Sequence, residues 1–133
     1  MADPPVWDLP PGDAAGPRAV RCVRDQLDVW GLASAAPRVG RVAEGVAAAV
    51  AGGGWCRLSL DLAVLSDGSE VVRLEIYATD GNTASMLSAD ALDGLESESN
   101  GWNAFRHPSG VLVWAHVPTL ALGPLPRTFW PAD

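Results

Sequence analysis

The chain has 133 residues, 48% of them apolar, and a formal charge of −7; that length suits one domain with a single sizeable core. The negative balance disfavours nonspecific binding to nucleic-acid backbones, which requires clustered positive charge, and no apolar run of about 18 residues is present to cross a bilayer. All nine basic side chains are arginine, which excludes lysine chemistry such as a Schiff base or a P-loop lysine.

Residues 1–16 contain four prolines and little periodicity, so they are expected to form an irregular Pro-rich arm. The arm lacks the basic and apolar regions of a secretory signal, so a cytoplasmic protein is expected. Val6, Trp7 and Leu9 are available to dock it in a groove. A first helix is predicted from Pro17, a residue suited to an opening turn, with Val20, Val23, Leu27 and Trp30 as its buried stripe. Arg21 with Asp25, and Arg24 with Asp28, stand at i,i+4 spacing on its wet side. Gly31 is placed to cap its C-terminus.

A second helix is predicted over 34–51, with Ser34 as N-cap and the three glycines 52–54 as its stop. Gly45 in its middle is unfavourable by about 1 kcal/mol relative to alanine, which implies a close packing partner. Two strands follow, over 55–65 and 70–79. In the first, Cys56, Leu58, Leu60, Leu62 and Val64 alternate with polar residues; in the second, Val72, Leu74, Ile76 and Ala78 do so. Asp67-Gly68 between them signals a hairpin.

Residues 83–101 are polar and acidic, with a short helix over 88–95. A last strand is predicted over 110–117, entered through a turn at 107–110. Residues 119–133 form a proline-punctuated tail. Cys22 and Cys56 have no ligand-spaced companions and fall in apolar settings, so two buried free thiols are expected. His107 and His116 lack a paired carboxylate, and no serine sits in a nucleophile elbow. Trp7, Trp102 and Trp130 fall in stretches read as irregular, where they serve either as interface anchors or as caps over the core.

The order helix, helix, hairpin, variable segment, strand gives an α+β fold: a two-layer sandwich with helices packed on one face of a mainly antiparallel sheet. Over residues 17–118 this order resembles the histidine-kinase-like ATPase domain in a compact form, in particular the anti-sigma-factor serine kinases of actinobacteria. The resemblance is carried by the Trp30-Gly31-Leu32 close of the first helix, the helix around Glu44 and the final strand from Gly110 to Pro118. It implies a glutamate base at Glu44 and, four residues on, an asparagine that holds the magnesium of ATP. Ala48 stands there instead, and a methyl group ligates no metal.

By the same resemblance, Asp80 with Gly81 lies near the adenine-binding position; Asp80 has the parity of the inward series, although strict continuation of that series puts Ala78 there and a turn aspartate needs no special explanation. Gly94 is the remnant of a glycine-rich lid, or part of an acidic surface loop. The implied function is that of a degenerate, non-catalytic member. It would regulate by binding another protein with a basic patch, such as a sigma factor, an anti-sigma antagonist or a transcriptional regulator. Family members often dimerise, so a homodimer is among the expectations. No cofactor is expected. ATP with magnesium belongs to the alternative of an active serine kinase with a rearranged metal site, and a small ligand in a vacated pocket beside Ala48 and Ala78 is the remaining alternative.

Overall fold

The structure, a computed structural model, describes residues 3–50, 54–78, 89–107 and 110–120. It is an α+β arrangement in which helices cover one face of a five-stranded sheet. Strand β1 (Val6–Leu9) leads through a 3-10 turn into helix α1 (Ala15–Val29), and a second 3-10 turn opens helix α2 (Ala36–Val50). Strands β2 (Cys56–Val64) and β3 (Glu70–Ala78), helix α3 (Ala89–Glu98) and strands β4 (Gly101–His107) and β5 (Gly110–Pro118) follow. The sheet order is β1-β2-β3-β5-β4, and every neighbouring pair is antiparallel. Among the described residues, no helix is long and apolar enough to cross a membrane.

The residues expected to form an irregular arm contain β1. Val6 to Leu9 pair with Ser59 to Cys56, and strand alternation turns Trp7 and Leu9 toward the helices, where Leu9 is fully buried. Four residues are too few to display a period, which is why composition alone suggested an arm. Helix α1 begins at Ala15, two residues before Pro17. It ends as expected: Gly31 has φ +76°, and Leu32 N donates to Leu27 O at 2.7 Å, the six-to-one bond of a Schellman cap. Ser34 lies within the 3-10 turn Ala33–Ala35 and is not the cap of α2.

The hairpin between β2 and β3 is closed by the residues that predicted it. Asp67 Oδ1 accepts from Ser69 N at 2.9 Å and Ser69 Oγ at 2.6 Å, which holds the Asp67 carboxyl below its ordinary range, while Gly68 takes φ +89°. The inward rows of β2 and β3 pair in register, Leu58 with Ile76 and Leu60 with Leu74. All four side chains are fully buried, together with Val23 and Leu27 of α1, Val39, Val42 and Val46 of α2, and Leu95 of α3. Burying each such side chain stabilises the fold by about 1.5–3 kcal/mol. Cys22 and Cys56 are free, buried thiols. Burial pushes the Cys56 thiol up to about 11, so it carries almost no thiolate at neutral pH.

Strand β4 occupies residues expected to be irregular. Its apolar residues fall on both faces, with Trp102 opposite Ala115 on the helix side and Phe105 opposite Leu112 on the other. The alternation that marks a strand covered on one side is therefore missing from its sequence. Trp102 packs partly buried against the core.

Candidate functional site

Helix α2 is the centre of the helical layer and carries Glu44 and Ala48 one turn apart. Both are exposed. Their flank runs along the first turn of α1, where a Cβ on Gly16 would stand 3.2 Å from Glu44 Cγ and 4.0 Å from Ala48 Cβ. Neither residue lines the two cavities described below.

The other flank of α2 holds α3. A Cβ on Gly45 would come within 3.2 Å of Ala91 Cα, which is the close packing that a mid-helix glycine implied. Arg41 reaches from α2 to Asp93 at 3.0 Å and Glu98 at 3.2 Å. With half of Arg41 exposed, these pairs are worth at most about 1 kcal/mol each. Gly94 therefore lies within a helix and not in an acidic loop. It lies buried inside α3 against Arg41, and two of its acidic neighbours are turned onto that arginine.

The described residues expected at the nucleotide elements fall on α2, β3 and α3. Glu44 and Ala48 lie beside α1, and Gly94 sits in α3 against Arg41, one turn before Glu44 on α2. Ala78 is buried in the core in register with Cys56 and Val111. Asp80, Gly81 and Trp130 lie outside the described residues. Trp7 and Trp102, expected in irregular segments, sit on strands and pack against the core as partial caps. Among the described residues, no group of three or more His, Cys, Asp or Glu is arranged to hold a metal ion.

Two other features were not singled out from the sequence. The first is a groove between α1 and the start of α2, a cavity of about 550 Å³. Val20, Ala33, Ala36 and Pro37 form its apolar lining, and Arg24, Asp25 and Asp28 its charged rim. The i,i+4 pairs expected along α1 are not formed, and these three charged side chains have no hydrogen-bond or ion-pair partner among the described residues. Valine and alanine periodicity marked this surface as helical, but only the packing of α1 on the turn before α2 makes it concave.

The second feature is the outer face of the sheet. Arg73 Nε donates to Glu75 Oε2 at 2.8 Å, and Arg73 Nη1 lies 3.2 Å from His116 Nε2. The Arg73 guanidinium also stands 5.3 Å from the centre of the Trp114 ring, a cation–π distance. Further along the face, Arg57 pairs with exposed Asp8 at 3.3 Å, beside a cavity of about 220 Å³ bounded by Trp55 and Tyr77.

Partial burial and the Arg73 charge both hold the His116 imidazole below its ordinary range. The unfolded chain therefore takes up a proton at this residue before the native protein does, as pH falls through about 6.5. The His116 contribution is intact above that pH, declines as pH falls toward the lower native value, and is constant below it. Replacing His116 by glutamine is expected to flatten the stability profile between about pH 7.5 and 5.5. Urea unfolding of both proteins across that range checks this; identical slopes would exclude His116 as the source.

No family model matches the chain, and comparison with curated proteins and with solved structures likewise yields no match.

Proposed function

We propose that this chain is a non-catalytic, cytoplasmic regulatory protein on a degenerate histidine-kinase-like ATPase scaffold, acting by binding another protein. The resemblance supplies the class of partner: a sigma factor, an anti-sigma antagonist or another transcriptional regulator. The observation that carries the binding role is the groove between α1 and the start of α2. Its volume of about 550 Å³ lies in the range of sites that bury a ligand or an anchoring side chain. Its apolar floor offers affinity, and Asp25 and Asp28, unpaired at its rim, offer orientation toward basic groups of a partner. The burial of Ala78 in the core and the setting of Gly94 inside a helix seated on α2 support the non-catalytic half of the reading, since phosphoryl transfer needs its metal ligands and its phosphate cradle around one open space.

Two measurements test the two halves separately. Titration with ATP and magnesium, followed by melting temperature, is expected to leave stability unchanged; saturable stabilisation at micromolar nucleotide would establish an ATP-binding protein and overturn the non-catalytic reading. For the binding half, a partner captured from cell extract and then purified is titrated against the wild type and an Asp25→Lys/Asp28→Lys variant. Reversing two rim charges is expected to weaken binding at least tenfold, mainly through slower association at low salt. Equal affinity for both proteins would remove the groove from the interface.

A further inference from the structure

We propose that residues 121–133 fold back over the outer face of the sheet as a strap, covering the end of that face that carries Val71 and Pro118. The helices pack on the other face, and strand alternation turns Val71 away from them, since Val72, Leu74 and Ile76 point into the core. Val71 is nevertheless 0% exposed. Its neighbours on the same face, Ala63 of β2 and Pro118 of β5, stand beside it and leave the tip of its side chain open. Full burial therefore requires a further layer over the strand. The cover is local: Pro118 is buried with Val71, whereas Arg73, Glu75, Tyr77 and Trp114 farther along the face are only half-buried.

Topology selects the segment. Residues 51–53, 79–88 and 108–109 join elements at the opposite end of the sheet, where Ala78 pairs with Cys56 and Val111, about 23 Å from Val71 at 3.3 Å per residue. Even the longest of these, which must return to α3 on the helical side, reaches out only about 17 Å. Residues 1–2 continue an edge strand that β2 separates from β3. Residues 121–133, in contrast, leave the sheet beside Val71, because Thr119 N donates to Glu70 O at 3.2 Å. Arg38 of α2 fixes that point of departure, donating from Nη2 to Pro118 O at 3.1 Å and to Thr119 O at 2.9 Å.

The composition of the segment suits a face and not an edge. Leu122, Leu125, Phe129 and Trp130 supply apolar area, while Pro124, Pro126 and Pro131 lack the N–H groups that would extend a ladder. Ten residues of extended chain span about 33 Å, enough for Phe129 and Trp130 to reach the half-exposed Tyr77, Leu112 and Trp114. The tether favours this occupant over an outside one. Five strands at about 4.8 Å spacing and about eight steps of 3.3 Å give a face of about 600 Å², below the roughly 800 Å² per partner of a stable interface between separate proteins. A segment joined to the face at Thr119 docks intramolecularly, at an effective concentration on the order of millimolar, so a smaller area suffices.

Thiol alkylation of the full chain tests the strap and is independent of partner binding in the groove on the helical layer. The probe is Val71→Cys, read at position 71 by peptide mass so that the buried Cys22 and Cys56 are scored separately. Adding Leu122→Asp/Leu125→Asp is expected to speed alkylation at position 71 at least tenfold while Cys22 stays unreactive. An Ala36→Cys probe in the groove is expected to react at the same rate with and without those tail substitutions. Circular dichroism reports whether each variant is folded; if Val71→Cys is not, Ala63→Cys, in register with Val71 on the same face, carries the same comparison. Equal rates at position 71 with and without the tail substitutions overturn the proposal, because another layer then buries Val71. Acceleration at position 36 instead also overturns it, by placing the segment in the groove, and so does parallel acceleration at Cys22, which means that the whole fold has opened and not a strap.

Discussion

Replacing Leu9 by alanine is expected to destabilise the protein by about 2–5 kcal/mol, the range for truncating a large buried aliphatic side chain. Leu9 is 0% exposed. It lies in register with Cys56 at the end of β2 and belongs to the continuous core shared with α1 and α2. Removing its isobutyl group withdraws apolar area from the core and leaves a cavity that the short strand can only partly close. For a domain of this size, the melting temperature should fall by about 10 °C. Val6, three residues earlier on the same strand, is 50% exposed on the outer face, and Val6→Ala should stay within about 0.5 kcal/mol. Thermal unfolding of the two variants side by side is the measurement. A docked but irregular arm would produce small effects at both positions, so a Leu9→Ala cost below about 1 kcal/mol would remove β1 from the core.

The two glycines at the contact of α2 with α3 should respond in opposite directions to added side chains. At Gly45, a Cβ would meet the main chain of Ala91 at 3.2 Å, and a main-chain atom cannot rotate aside as a side-chain tip does. Gly45→Leu should therefore force α3 outward and cost about 1–3 kcal/mol by overpacking, more than the roughly 1 kcal/mol of helix propensity it regains. At Gly94, the nearest atoms to a Cβ are Arg41 O at 3.9 Å and Arg41 Cγ at 4.0 Å, which is ordinary van der Waals contact. Gly94→Ala should therefore keep the packing and raise stability by about 0.5–1 kcal/mol through helix propensity. Chemical denaturation gives both signs, and amide exchange across residues 89–98 locates the first effect, which should appear as faster exchange in α3. Stabilisation by Gly45→Leu would mean that α3 is not seated on α2 as described.

The opposite responses of these glycines bear on the nucleotide question. A lid glycine must allow phosphate to approach the main chain, whereas Gly94 faces another helix and tolerates a methyl group. Arg41, Asp93 and Glu98 tie that helix to α2, placing Gly94 against the turn of α2 that precedes Glu44. Similarity of element order did not reveal this, because order along the chain does not fix which flank of a helix is covered.

The two central helices, the hairpin and strand β5 were determined locally by the sequence. The valines of α2 recur at helical spacing, Val72, Leu74, Ile76 and Ala78 alternate, Gly31 ends a helix with the positive φ that its lack of a Cβ permits, and Asp67-Gly68 closes a turn within its own five residues. Each signal depends on neighbours a few positions away, so it can be read without the fold. Gly45 also announced a close neighbour, but its identity, Ala91, lies 46 positions along the chain and was set by tertiary packing.

Strands β1 and β4 are the reverse case. Four residues in one, and large apolar side chains on both faces of the other, leave no period to read; what makes them strands is a hydrogen-bonding partner, β2 or β5, already in place. The groove at Val20 and Pro37, the cluster of Arg73, Glu75, Trp114 and His116, and the seating of Gly94 on Arg41 arise in the same way. They depend on which surfaces meet when helices settle on a sheet, and that is a property of three-dimensional packing which local periodicity does not encode.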